Sequence, residues 1–148
     1  MINARSETAP EKPYFRRAFR ERRCLIPADG FYEWKRENGA KQTLQFSHAR
    51  RQALCLHRPL GGWNKDEGIR FCTIPTTQAD DLVGGIHEWM PVILPRDHYH
   101  AWLDPESEWD QVAALLAPYP GDDLEAYPVS PYMNSPGNDD SRCIEPAA

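Results

Sequence analysis

Proline is the feature of this sequence that most restricts its fold. The chain has 14 prolines among 148 residues, about twice the usual share of roughly 5%. Because proline lacks a backbone N–H and fixes φ, it is excluded from helix interiors and from the middle of sheets. The sequence therefore predicts short strands, short helices and many loops, which together indicate an α+β fold.

Local patterns predict where the first of these elements lie. An apolar face predicts an amphipathic helix with a basic outer face over residues 13–23, and Pro13 suits its first turn. Short apolar or alternating runs predict strands at 24–27 and 31–35. The pair Asn38-Gly39 predicts a hairpin that leads into a strand at 42–46, since both residues tolerate positive φ.

The second half of the chain predicts further short elements. Candidate strands cover 70–74 and 91–94, and candidate helices cover 97–103 and 109–116. Thr76 and Thr77 are candidate caps of a short helix that ends at Val83. From residue 128 onward, the polar and proline-rich composition predicts a loop-like tail anchored by Val129 and Ile144.

Length, charge and the cysteines limit the classes of function. We interpret residues 1–148 as one domain, because this length is typical of a single core. The sequence has no long apolar run and no apolar signal segment at its start, which predicts a cytoplasmic protein without a membrane partner. Its four cysteines are scattered, so neither a metal site nor a cofactor is expected. The net charge of −5 argues against bulk electrostatic binding of duplex DNA.

Glu33 and His87 are the candidate proton-transfer residues. Glu33 stands among aromatic residues, where desolvation raises a carboxyl pKa towards the range useful for acid–base catalysis. On the residues alone, the alternative that Glu33 faces solvent stays open. His87 follows a glycine pair just before an apolar run, where an imidazole can shuttle protons, although a lone histidine in such a place is more often structural.

A basic cluster suggests nucleic-acid contacts. It comprises Arg16, Arg17, Arg20, Arg22 and Arg23. Guanidinium groups pair well with phosphates, and aromatic residues such as Trp34 could stack on unpaired bases. A solvated helix face beside core aromatics explains the same pattern, and both interpretations stay open at this point.

Four ordered motifs resemble those of the SOS response-associated peptidase family. The sequence INARSET at 2–8 is similar to the family's INAR-(S/A)-E-T, and CLIPADGFYEW at 24–34 is similar to its LIPADGFYEW. Residues 87–94 resemble H-D-R-M-P-V-I-L, and residues 127–130 with 138–140 resemble its Y-P-V-S and N-D-D segments. Agreement in four places and in order covers nearly the whole chain.

The resemblance implies a fold, a partner and residue roles. It implies a β-barrel-like core with peripheral short helices, and a groove for single-stranded DNA that contains abasic sites. The implied catalytic residues are Asn3, Glu33 and His87. The resemblance also implies that Arg5 contacts a phosphate. Arg16 and Arg17 of the basic cluster and the aromatic Trp34 join it as predicted DNA-binding residues. No metal or cofactor is implied, and the protein would act in the cytoplasm in association with the nucleoid.

Some positions depart from the family pattern. The family's N-terminal cysteine attacks the aldehyde of a ring-opened abasic site and forms a thiazolidine, whereas position 2 here is Ile2. The resemblance therefore implies the C-terminal two thirds of a family domain, incomplete at the N-terminus and unable to crosslink by itself. Trp89 stands in place of an arginine and Glu88 in place of an aspartate, which predicts weaker phosphate binding.

Three functions follow from these observations. The chain could belong to a DNA-crosslinking protein whose start is misassigned. It could instead be a noncovalent single-stranded DNA-binding module. The third alternative is a peptidase-like hydrolase that acts through Glu33 and His87.

Overall fold

The computed structural model describes residues 3–8, 11–37, 39–48, 54–64 and 69–147. Within these ranges the helices are short, as the prolines predict, whereas one strand, Leu54–Asn64, reaches 11 residues. A mixed α and β fold is confirmed. The strands are β1 (Asn3–Arg5), β2 (Arg23–Ala28), β3 (Gly30–Glu37), β4 (Ala40–His48), β5 (Leu54–Asn64), β6 (Ile69–Cys72), β7 (Ile74–Gln78), β8 (Trp89–Pro91) and β9 (Leu124–Pro128). The α-helices are α1 (Pro13–Glu21), α2 (Asp81–Gly84), α3 (Tyr99–Leu103) and α4 (Trp109–Ala114).

The described strands form three small sheets. One has the order β1-β7-β8, with β1 parallel to β7 and β8 antiparallel to β7. The others are antiparallel, with the orders β2-β5-β6 and β3-β4-β9. The strand pairings of the described residues include no closed barrel, so the barrel-like core stays a prediction.

The predicted hairpin is confirmed as β3 and β4. Glu37 pairs with Ala40, and Gly39 has the positive φ of 80° that the tight turn requires. Asn38 lies outside the described residues. On the buried face of the hairpin, the rings of Phe31 and Phe46 stack with their centroids 5.0 Å apart.

Three predictions for residues 70–94 are corrected. The single strand predicted at 70–74 is divided between β6 and β7, which belong to different sheets. Thr76 and Thr77 lie inside β7 and do not cap a helix; Asp80 caps α2, since its carboxylate accepts a hydrogen bond from the Val83 N–H at 2.8 Å. Only the first residue of the predicted strand 91–94 belongs to a regular strand, β8, because prolines in β7 and β8 shorten their ladder.

The predicted helices are confirmed with changed ends. Helix α1 ends at Glu21, and the segment 97–103 is a 3-10 helix, Arg96–His98, that continues into α3. Helix α4 ends two residues before its predicted end. Every helix in the described part of the chain is too short or too polar to span a membrane.

Arg23 belongs to the packing of the fold and not to the basic face predicted for α1. Its guanidinium donates hydrogen bonds of 2.6–2.8 Å to four backbone carbonyls, those of Phe19, Arg20, Trp102 and Asp104. These carbonyls lie at the C-terminal ends of α1 and α3, where helices leave acceptors unpaired. Burial lowers the Arg23 pKa.

Among the described side chains, two hydrophobic clusters form the core, and the segment 90–94 joins them. Val92 and Leu94 pack with Phe19, Trp102, Val112 and Leu116. Met90 and Ile93 pack in the second cluster with Phe31, Phe46 and Val83. Because neighbouring side chains of an extended segment point in opposite directions, residues 92–94 serve both clusters in turn.

The C-terminal tail is anchored by Val129 but not by Ile144. Val129 is fully buried and bridges to Pro146, whereas the Ile144 side chain is 42% exposed. The tail holds two further 3-10 helices, Pro131–Asn134 and Ser141–Ile144. Hydrogen bonds of its backbone with Tyr32 and Tyr127 fix it to β3 and β9.

Candidate functional site

Glu33 and His87 line one cavity of about 480 Å³, which we call the Glu33 cavity. It lies where β3 meets the β1-β7-β8 sheet. Arg5 of β1 and Trp34 of β3 also line it. The remaining wall is mostly apolar or aromatic and consists of Phe31, Tyr32, Ile74, Thr76, Trp89, Met90 and Pro91.

The alternation of β3 directs Glu33 into the cavity. Phe31 and Glu33 lie on the same face of the strand, and Phe31 belongs to the buried core. The carboxyl of Glu33 is half buried, so the alternative that it simply faces solvent is wrong. Burial raises the pKa of Glu33, while the charge of His87 and a hydrogen bond from the Trp34 backbone partly oppose that change.

His87 is held by backbone groups at the entrance to β8. Its backbone N–H donates to the Val83 carbonyl at the end of α2. Its Nδ1 lies 2.9 Å from the Trp89 carbonyl oxygen and 3.1 Å from the Trp89 nitrogen. A protonated Nδ1 can donate to the Trp89 carbonyl oxygen, and an unprotonated Nδ1 can accept from the Trp89 N–H. The exposed ring therefore has Nε2 available for a ligand in the cavity.

Arg5 is positioned by the short parallel pair β1 and β7. It pairs with Thr76 in register, and the next residue extends the ladder through a 2.7 Å bond from the Ser6 N–H to the Thr76 carbonyl. The guanidinium carbon lies 4.4 Å from the centre of the Trp89 ring. This is a cation–π contact, which favours one orientation of an otherwise flexible side chain.

Trp34 offers a partly exposed aromatic surface beside the cavity. Its side chain is 38% exposed, and its indole N–H donates to Asn134 Oδ1 at 2.8 Å. The Lys41 ammonium lies 4.6 Å from the centre of its ring. A nucleic acid at this surface would meet an aromatic face and a cation together, the combination that binds unpaired nucleotides.

The other predicted site residues lie elsewhere or are only partly described. The backbone of Asn3 pairs with Ile74, which lines the cavity, but its side chain lies outside the described atoms. Arg16 lines a different cavity of about 470 Å³ with Arg20 and Trp109. Arg17 forms a 2.7 Å ion pair with Glu21 on the exposed face of α1. The structure thus brings Arg5, Glu33, Trp34 and His87 together and keeps Arg16 and Arg17 apart from them.

Sequence reasoning missed two residues around the cavity, Lys41 and Asn134, and the contact between Trp89 and Arg5. Lys41 could have been found, because the Asn-Gly turn sets the register and places residue 41 diagonally across from Trp34. Asn134 and the Trp89 contact with Arg5 join segments far apart in the sequence, and no local signal points to either. Among the described residues, no group of three potential metal ligands occurs.

Comparisons with known proteins agree with the motifs. The model of the SOS response associated peptidase (SRAP) family matches residues 1–136. The chain therefore belongs to this family. It is similar to the abasic site processing protein YoaM of Bacillus subtilis, with 42% identity over 98% of this chain and 66% of YoaM. It is also similar to the abasic site processing protein HMCES of Xenopus tropicalis, with 29% identity over 96% of this chain and 49% of HMCES.

Solved structures show the same fold. A crystal structure of a protein from Bacteroides thetaiotaomicron has a TM-score of 0.85 and 27% identity, over 98% of this chain and 66% of that one. A protein from Bordetella bronchiseptica has a TM-score of 0.75 and 33% identity, over 86% and 64%. The chain thus spans about two thirds of these proteins and about half of the vertebrate relative.

Proposed function

We propose that this chain supplies the binding pocket of a protein that processes abasic sites in single-stranded DNA. The observation that carries the proposal is the Glu33 cavity, where a half-buried carboxyl, an imidazole and a guanidinium line one mostly apolar recess. A sugar that has lost its base is small enough for such a recess. The names of the relatives YoaM and HMCES, both abasic site processing proteins, support it.

Glu33 is the proton-transfer residue in this proposal. Opening the sugar ring of an abasic site requires a proton at the ring oxygen and the loss of a proton from the hydroxyl at C1′. A carboxyl with a raised pKa can carry out both transfers near neutral pH. His87 binds the same sugar through Nε2, and Asn3 orients the reacting group.

DNA contacts surround this pocket. Arg5 binds a phosphate, and Trp34 stacks on a neighbouring base with Lys41 beside it. Arg16 and Arg17 would contact a more distant part of the strand, since they lie outside the Glu33 cavity. The domain would have a barrel-like core in which the three small sheets surround the two hydrophobic clusters.

The complete reaction would be covalent and would serve the response to DNA damage. The amine of an N-terminal cysteine condenses with the C1′ aldehyde, releases water and forms an imine. Its thiol then adds across the C=N bond, so that sulfur bonds to carbon and the nitrogen gains a proton, which gives a thiazolidine. The residues of this chain would provide the pocket and the proton transfers for that chemistry.

Binding to matched oligonucleotides tests the proposal with the chain itself. The probes are a single strand with one tetrahydrofuran abasic analogue and the same strand with an intact nucleotide. We expect tighter binding of the abasic strand, and we expect His87→Ala to reduce that preference by about tenfold, the effect of losing one good polar contact. Glu125→Gln, an exposed change on β9, is the control. Equal affinity for both strands would contradict the proposal.

A further inference from the structure

Arg5 and Trp89 separate two neighbouring cavities. On one side is the Glu33 cavity. On the other is a larger recess of about 710 Å³, the Glu88 cavity, whose polar lining includes Glu7, Gln78 and Glu88. Of the described residues, Arg5 and Trp89 alone line both. A strand that runs from one cavity into the other must therefore cross this pair.

The sheet β1-β7-β8 brings the two side chains together. Arg5 pairs with Thr76 of β7, and two residues further along β7, Gln78 pairs with Trp89 of β8. The guanidinium then lies over the indole at 4.4 Å. Arg5 is exposed and its long side chain is flexible. The contact with the half-buried Trp89 ring restricts the positions that the guanidinium can take.

The charged groups that line the two cavities favour a phosphate beside Arg5 and Trp89 over one inside either cavity. Glu33 lies in one cavity, and Glu7 and Glu88 lie in the other. A phosphate inside either cavity would approach a carboxylate, whereas at the pair it meets the Arg5 guanidinium. If two successive nucleotides occupied the two cavities, the phosphate that links them would lie between the cavities, where Arg5 is.

We propose that Trp89 is a positioning residue that holds the Arg5 guanidinium against the phosphate between two nucleotides, one in each cavity. The inference rests on the proposed function, because it takes the occupant of the Glu33 cavity to be an abasic nucleotide. It assigns to this chain a recess for the adjoining nucleotide. It also gives Trp89 a role in DNA binding. Trp89 replaces one arginine of the family pattern, and its ring orients Arg5, the arginine that this chain retains.

A mutant cycle with salt titration tests this role. The probe is a labelled single strand with one tetrahydrofuran abasic analogue, and the variants are Arg5→Leu, Trp89→Leu, their combination and Trp89→Phe. We expect Arg5→Leu to reduce the magnitude of the slope of log K against log salt by about 0.7, the value for one phosphate on a single strand. Trp89→Leu should weaken binding about three- to tenfold and remove part of the same slope. Trp89→Phe keeps an aromatic ring and should restore affinity to within about twofold.

The combined variant decides between positioning and an independent contact. If Trp89 acts through Arg5, Trp89→Leu adds no further loss once Arg5 is leucine. An equal loss in both backgrounds, or no loss in either, would overturn the inference while the proposed function stands. Absence of wild-type binding would overturn both. Arg96→Leu, an exposed arginine that lines neither cavity, controls for net charge. Thermal unfolding checks each variant, with Trp89→Met in place of Trp89→Leu if the leucine variant does not fold.

Discussion

Glu33 is a carboxyl whose ionisation the fold disfavours. Burial raises its pKa in the folded chain above that in the unfolded chain. The folded state therefore retains the proton to higher pH. The stability associated with this group is fully present below the unfolded pKa, and it is lost as the pH rises through the folded pKa. Ionisation of Glu33 in its cavity therefore comes at a cost to the stability of the chain.

Replacing Glu33 with glutamine should remove the pH dependence of stability that this carboxyl causes. We expect the free energy of unfolding of Glu33→Gln, relative to the wild type, to increase as the pH rises above the ordinary glutamate pKa and through the raised pKa of folded Glu33. Below the ordinary glutamate pKa of about 4.3 the difference should be constant. Urea denaturation from below the first of these pKa values to above the second measures it, and Glu125→Gln is an exposed control. A difference that does not change with pH would contradict the assigned cause.

Arg23 and Arg17 differ sharply although both belong to one arginine-rich run. Arg23 donates to backbone carbonyls at the ends of α1 and α3, whereas Arg17 makes an exposed pair with Glu21. We expect Arg23→Ala to lower the free energy of unfolding by about 1–3 kcal/mol, because three part-buried carbonyls lose a charged donor. Arg17→Ala should change it by less than about 0.5 kcal/mol. Denaturant unfolding of both variants compares them, and equal effects would contradict the account.

Some site residues could be predicted from the sequence and others could not. The aromatic neighbours of Glu33 correctly indicated a raised pKa, and its motif placed it with His87. The roles of both residues stay proposals. The cation–π contact of Arg5 with Trp89 depends on two strand pairings through β7, so it arises from tertiary structure. The sequence alone showed only that Trp89 replaces an arginine.

At the scale of elements, the β3–β4 hairpin determines which side chains reach the site. Gly30 begins it opposite Ser47, and an added Cβ would press against the Phe46 carbonyl oxygen. We expect Gly30→Ala to destabilise the chain by about 1–3 kcal/mol, the usual cost of overpacking. Gly84→Ala is the matched control, because nothing lies within 4 Å of its added methyl group and Gly84 ends the helix α2. Thermal unfolding compares the two, and a stable Gly30→Ala variant would disprove the close approach.

The elements predicted correctly are those with strong local signals. The Asn-Gly turn specifies the hairpin, and Pro13 begins α1 as its position suggests. The incorrect predictions fall where tertiary contacts determine the secondary structure. The run 70–74 has no turn signal inside it, yet its two halves join different sheets. Thr76 resembles a helix cap by residue type, but pairing with Arg5 and Pro91 keeps it in β7.

At the scale of the molecule, one segment connects the core with the site. Residues 87–94 begin with the imidazole that lines the cavity, continue through Trp89, and end with side chains that serve both hydrophobic clusters. Met90 and Ile93 share a hydrophobic cluster with Phe31 of β3, so the segment that carries His87 and the strand that carries Glu33 are joined through the core. Because the net charge is −5, the proposed DNA binding would depend on local groups such as Arg5 and Lys41.

The most direct test of the central claim is an NMR titration of the 148-residue chain. The resonances observed are the indole N–H groups of Trp34 and Trp89 and the imidazole of His87, assigned by single substitution. We predict that the tetrahydrofuran-containing strand shifts all three at lower concentration than the intact strand does. Trp102, which is fully buried, should stay unchanged as an internal reference. Equal shifts with both strands, or shifts that leave Trp89 and His87 unaffected, would contradict an abasic-site pocket at Glu33.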